Sequence, residues 1–225
     1  MGRMSWFRRR RPEPLPPAHL PNPHELAVAF WQRWFDLLPR VSAALGDGEP
    51  HRVENELCEL VAALHPDLHF SLERGQRAIY ALVLSGQEAP GLRPYTDAWI
   101  AAAPPEDMIW EYHDSVPPVP DPTDVTVNLA GHQLRLGDFR VVAQVTDGAV
   151  DVAVYHPELA ELGEEARRAM TFLPLDVTLG ERLAGEWLGR VETAAQEPAE
   201  TIDLLELREL VRSLARVDEP PSSGS

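Results

Sequence analysis

The sequence predicts an α+β fold, a mostly antiparallel sheet with amphipathic helices packed on it. Two periodicities point there: apolar residues recur at spacings of three and four near both ends, and alternate or run continuously in short stretches between. The third observation is their order, α-α-β-β-α-β, a proline-rich connector, then β-β-β-α-β-α. Hairpins dominate that order, and few parallel crossovers are forced.

The first helix opens with Asn22 as a cap, Pro23 at the first helical position and Glu25 placed for a capping box. Ala27, Phe30, Trp31, Trp34, Leu38, Val41 and Leu45 form its apolar stripe, Pro39 is expected to kink or split it, and Gly46-Asp47-Gly48 ends it. A second helix spans about 51–64, with Val53, Leu57, Leu60, Val61 and Leu64 on one face and Pro66 beyond its end. Leu68, Phe70 and Leu72 then alternate as a strand, Arg74-Gly75 turns, and Ile79–Leu84 reads as a continuous apolar strand. Pro94 to about Ala102 is helical, ended by Pro104-Pro105, and Met108–Tyr112 is a strand. Ser115–Thr123 holds four prolines and forms a rigid connector. Val125–Leu129, Phe139–Val145 and Ala149–Tyr155 read as strands, the last two joined by Thr146-Asp147-Gly148, a hairpin signal. Pro157 opens a helix to about Phe172, and Glu186–Glu192 is a short strand. Asp203 and Glu206 form a capping box for a last helix buried along Leu204, Leu207, Leu210, Val211 and Leu214.

No internal sequence repeat is visible. Residues 23–217 read as one α+β domain, with a single shared sheet the economical arrangement across the connector at 115–123. An Arg/Pro-rich arm, 1–22, precedes it and a flexible tail, 218–225, follows. Met1 and Met4 are both candidate starts.

The chain carries −16 at neutral pH, unevenly. Residues 1–20 hold five arginines against one glutamate, about +4, so the remainder carries about −20. A body that acidic repels phosphate backbones and anionic bilayers, so nucleic acid is not an expected partner of the folded part. All twenty basic residues are arginine, a bias that reads as codon usage. No apolar run reaches the roughly 18 residues of a membrane span, and prolines follow the first arginines where a signal peptide would turn apolar. Cys58 is the only cysteine, so no internal disulfide forms, and the expected compartment is the cytoplasm.

Chemistry-bearing groups are sparse. Phosphate-loop, nucleophile-elbow and H-E-x-x-H patterns are absent from the sequence, and no cofactor is expected. His65-Pro66-Asp67-Leu68-His69 resembles a metal cluster, but Pro66 breaks it and no third ligand stands at helical spacing, so no metal site is expected. Cys58, between Leu57 and Val61 without a basic neighbour, reads as a packed thiol. The catalytic candidates are His113, Asp114 and Glu111. On a strand Glu111 and His113 share one face, where a carboxylate can orient and charge an imidazole; a solvated polar face is the plainer reading. Trp6, Phe7, Arg8, Arg9, Arg10 and Arg11 are the candidate binding residues. The aromatics suit a headgroup region and the arginines an anionic lipid or acidic partner. Trp31, Trp34, Trp99 and Trp110 lie on apolar faces and read mainly as core; exposed together, they would mark a partner surface.

Three signatures occur together: Phe30-Trp31 with Trp34-Phe35, Ala103-Pro104 before Trp110, and Leu179-Gly180-Glu181 ahead of the Ile202–Leu210 leucine segment. Over about Glu25–Val211 the chain resembles an uncharacterised family of bacterial cytoplasmic proteins, a domain of unknown function with an FW start, an AP…W junction and an LGE near the end. The resemblance implies a single α+β unit and carries over no activity or binding residue; the arginine arm and the proline connector depart from the family pattern. The expected function is a non-enzymatic protein-binding or regulatory module. The alternatives are a small-molecule, hydrolase-like enzyme using His113 and Asp114, or a peripheral membrane protein held by the Trp-Phe-Arg arm.

Overall fold

The computed structural model describes residues 22–87, 89–129 and 131–218. The fold is α+β. Its order is α1 (Pro23–Gly46), α2 (Glu54–Leu64), β1 (His69–Arg74), β2 (Tyr80–Ser85), α3 (Arg93–Ala101) and β3 (Trp110–His113), then β4 (Thr126–Leu129), β5 (His132–Arg135), β6 (Arg140–Thr146), β7 (Ala149–Tyr155), α4 (Glu164–Trp187), β8 (Leu188–Thr193) and α5 (Leu204–Asp218). Among the described residues no helix is long and apolar enough to cross a membrane.

The strands form three sheets, β1-β2-β3, β4-β5 and β6-β7-β8, rather than one shared sheet. In both outer sheets a hairpin is followed by a helix and then by a third strand parallel to the second. The ββαβ topology thus occurs twice without a visible sequence repeat. Parallel pairing leaves no local turn signature, which is why the sequence does not display it. A common sheet is blocked at the connector: Pro117, Pro118, Pro120 and Pro122 carry no N–H to extend a ladder beyond β3.

Two apolar clusters follow from this division. The first packs Phe30, Trp31 and Trp34 of α1 against Leu57 and Leu60 of α2, Leu82 and Leu84 of β2, Trp99 of α3, and Trp110 and Tyr112 of β3. Trp31 stacks on Trp99 with ring centroids 4.7 Å apart and donates its indole N–H to the Trp99 carbonyl at 2.8 Å. Trp34 meets Trp110 edge-on at 5.1 Å. All four tryptophans are therefore core, as their spacing implied, and α1 presents no tryptophan surface. The second cluster joins Phe139, Val141, Val150, Val152 and Val154 to Met170, Leu175 and Leu179 of α4 and to Leu207 and Val211 of α5.

Local signals read from the sequence hold at several ends. Asn22 Oδ1 accepts the His24 amide at 3.1 Å. Asp203 and Glu206 cap each other reciprocally, each side chain accepting the other's amide at 2.8 and 2.9 Å. Others differ. Helix α1 runs through Pro39 as one span; Pro39 is exposed, and Trp34, Val41 and Ala44 anchor both sides of it in the core. Cys58 is exposed, because Leu57, Leu60, Val61 and Leu64 take the buried stripe of α2 and position 58 lies about 100° round the helix from Leu57. Strand β5 has no counterpart in the sequence reading; Gly131, between the apolar pairs Val127/Leu129 and Leu134/Leu136, was its only cue.

Helix α4 extends to Trp187, well past Phe172, but it is broken at Gly180, whose φ of 74° and ψ of 164° lie outside the helical region. The break exposes backbone groups that the proline connector satisfies. Val119 N–H donates to Val177 O at 2.9 Å, and Glu181 N–H donates to Val116 O at 2.9 Å. The buried guanidinium of Arg208 completes the joint, donating to the carbonyls of Thr178 (2.6 Å), Pro120 (2.8 Å) and Val119 (2.6 Å). One helix break and one arginine thus hold the connector.

Candidate functional site

Strand β3 sends Trp110 and Tyr112 into the aromatic core, so alternation puts Glu111 and His113 on its other face. Because β3 lies parallel to β2, with Glu111 opposite Ala81, the Glu111 side chain enters the loop joining β1 to β2. Its carboxylate is fully buried. One oxygen accepts the Gln76 amide at 2.8 Å; the other accepts the amides of Arg77 (2.8 Å) and Ala78 (2.9 Å). His113 Nε2 sits 3.0 Å from the first oxygen. Gly75 is required beside it: a Cβ there would meet Ala78 O at 2.5 Å and Glu111 Cδ at 3.2 Å.

A carboxylate offers about four lone-pair positions, and four hydrogen-bond partners here engage them. Burial alone would raise the Glu111 pKa, but the bonds from His113 and from the amides of Gln76, Arg77 and Ala78 outweigh it and hold the group down at about 2. A group that acidic, with its acceptor sites engaged, is a poor general base at neutral pH. It fits a staple that fixes a loop.

The structure brings Glu111 and His113 together but turns Asp114 elsewhere. Asp114 pairs with Arg182 of α4, which also binds Asp97 of α3 at 2.6 Å, so Asp114 ties the halves together. Ser115 Oγ donates to Asp114 Oδ1 at 3.4 Å. His65 Nδ1 accepts the Asp67 amide at 3.2 Å and its ring packs on Tyr95. Among the described residues no group of three or more His, Cys, Asp or Glu is placed to hold a metal ion. Trp6, Phe7, Arg8, Arg9, Arg10 and Arg11 lie outside the described residues.

Beside the stapled loop lies an apolar surface. Ile79 is 56% exposed, Met108 85% and Ile109 47%. The three are locked side by side: Ile79 N–H donates to Met108 O at 3.2 Å, Tyr80 N–H to Ile109 O at 2.9 Å, and Asp107 Oδ1 accepts the amides of Ile109 and Trp110, each at 2.7 Å. Arg77 and Glu106 pair at 2.8 Å beside them. A groove of about 650 Å³ adjoins, lined by Leu45, Leu72, Ile79 and Tyr80 on its apolar side. The sequence reading placed Ile79 and Met108 inside strands and missed this face; two large apolar residues in succession just before a core strand, Met108-Ile109, were the signal.

Comparisons with protein-family models, curated proteins and solved structures find no match to this chain.

Proposed function

We propose that the chain is a non-catalytic protein-binding module whose contact face is the Ile79–Met108–Ile109 surface and the groove beside it. The single observation that carries this reading is Met108, a large apolar side chain 85% exposed, whose carbonyl accepts the Ile79 amide and which lies beside the Asp107 cap on Ile109 and Trp110. Ordering the backbone in the free protein lowers the entropic cost of association. An adaptable thioether among aliphatics suits apolar contact with another polypeptide. The charge of the body, about −20 outside the arm, disfavours nucleic acid and anionic lipid as what covers the face. The partner is therefore a protein segment offering apolar side chains to the groove. The candidate acid–base groups support the same reading, because Glu111 has its acceptors engaged and Asp114 is held by Arg182.

Capture from the source lysate by the full chain tests this when paired with Met108→Glu and Ile79→Glu. Both changes are at the surface and are expected to shift stability by no more than about 0.5 kcal/mol. Each should lower recovery of the specific partner about tenfold or more, the size expected for an interface anchor. Equal recovery by wild type and both variants would overturn the proposal.

A further inference from the structure

Strand β6 is an edge of the β6-β7-β8 sheet, and its outer side is paired at Val141. There Val141 and Ile202 exchange both N–H···O bonds, each at 2.9 Å, as an isolated antiparallel pair. The two-residue turn Asp147-Gly148, with positive φ at both positions, fixes the rest of the pattern. Thr146 and Ala149 close the hairpin, so Arg140, Val142, Gln144 and Thr146 bond to β7, and Val141, Ala143 and Val145 aim their N–H and C=O groups away from it. Among the described residues neither Ala143 nor Val145 has a backbone partner on that outer side. A groove of about 520 Å³ opens there between β6 and 199–202, with Leu210 of α5 in its lining and Glu200 as its charged member. Charges and prolines blunt edge strands in most sheets. Strand β1 carries Glu73 and Arg74, and β8 carries Arg190 and Glu192, but β6 has neither device from Val141 to Thr146. Val145, 48% exposed, carries the apolar face of the sheet out into solvent.

We propose that this edge pairs with the same edge of a second copy of the chain, antiparallel about a two-fold axis at Gln144. Ala143 of each copy then lies opposite Val145 of the other, and each pair exchanges both N–H···O bonds, so the open backbone groups satisfy one another. The ends of the stretch select a copy over a foreign strand. An added strand must leave the edge opposite Val141, where Ile202 is already seated. Strand β6 does so by its own turn, because position 147 falls opposite Val141 in this register. The side chains agree with the same axis. On the core side the small Ala143 meets the larger Val145 of the other copy and covers its exposed methyls. On the other side the two Gln144 amides meet at the axis, where each can donate and accept. No ionisable group of the stretch is set against its own image. The product is one continuous sheet, β8-β7-β6 joined edge to edge with β6-β7-β8. So short an edge makes a small interface, and the dimer belongs to the weak class, with a dissociation constant on the order of 100 µM. The pairing is independent of the Ile79–Met108–Ile109 face, which lies beside the β1-β2-β3 sheet.

The axis allows a test specific to self-pairing. At a non-hydrogen-bonded pair the two Gln144 Cα atoms would lie about 4.5 Å apart, within reach of a disulfide. The full chain carrying Cys58→Ser and Gln144→Cys is oxidised with copper phenanthroline at about 100 µM. Salt at 1 M shortens the Debye length to about 3 Å and screens the −16 on each copy. The expected product is an interchain link between the two thiols introduced at position 144, mapped by mass spectrometry. Thr146→Cys on the same background sets the thiols roughly 13 Å apart along the strands and should link about fivefold less or lower still. Sedimentation velocity of the wild type under the same conditions should show a species of twice 25.1 kDa. Val145→Pro keeps the β6–β7 ladder, since the N–H it removes points outward, and should weaken the dimer about tenfold. Val145→Lys, a change at an exposed position, should weaken it to a similar degree and serves if proline disturbs the hairpin. A wild type that stays monomeric at this concentration, equal linking through positions 144 and 146, or a dimer indifferent to Val145→Lys would overturn the proposal.

Discussion

Gly180→Ala is expected to lower stability by about 4 kcal/mol, and with it the thermal midpoint by about 10 °C. Two independent costs add. A φ of 74° with a ψ of 164° is a region essentially closed to residues with a Cβ, worth about 1–3 kcal/mol. The new methyl would also stand 2.8 Å from Pro118 Cδ and 2.9 Å from Val116 O, and an overpacked site of this kind costs about 1–3 kcal/mol more. Neither neighbour can retreat cheaply. Pro118 is flanked by Val116 and Val119, both hydrogen-bonded to α4, and Val119 O with Pro120 O is held by Arg208. Urea and thermal melts measure the effect; a loss of less than about 1 kcal/mol would show that the connector does not depend on the break.

Glu111→Ala should cost about 3–4 kcal/mol, because it removes a fully buried carboxylate and leaves the part-buried amides of Gln76, Arg77 and Ala78, and His113 Nε2, without their acceptor. The same group makes the protein acid-labile. Its folded pKa of about 2 lies below the ordinary 4.5, so the ionised carboxylate contributes stability that is complete above about pH 5 and lost as pH falls toward 2. The size is about 3 kcal/mol, from 1.36 kcal/mol per unit. Urea unfolding at pH 6 and pH 3 should therefore show a fall in the wild type that Glu111→Ala lacks in large part. His156 adds in the same direction from the second apolar cluster. Burial lowers its pKa, opposed by Glu158 and Asp138, so stability is full above about 6.5 and declines as the ring is forced to charge. An unchanged urea midpoint in Glu111→Ala would mean that the carboxylate is no staple.

These two residues mark the boundary of what the sequence discloses. Where the deciding interaction is local, the reading holds: the Asn22 cap, the Asp203–Glu206 box, the Asp147-Gly148 hairpin and the stripes of α1, α2 and α5 all lie within a few residues of their causes. Where it is remote, the reading fails. Glu111 closes a loop 33 to 35 residues earlier, and Arg208 serves carbonyls 30, 88 and 89 residues away. On the strand Glu111 and His113 did share a face, so their contact was legible. Which loop that face would meet depended on a parallel pairing with no turn to announce it. Asp114, one residue on, was drawn off by an arginine 68 residues distant. The exposed face escaped for a related reason. Ile79, Met108 and Ile109 have the composition of strand interior, and only the tertiary arrangement leaves them uncovered.

Peroxide footprinting of Met108 tests the central claim most directly, that the apolar face beside the loop held by the buried acid meets another protein. Met170, fully buried, serves as the internal control for an intact fold. The account predicts rapid oxidation of Met108 in the isolated full chain and at least about fivefold slower oxidation in the complex recovered from lysate, Met170 staying reduced in both. Met108 reacting at the same rate free and in that complex would contradict it.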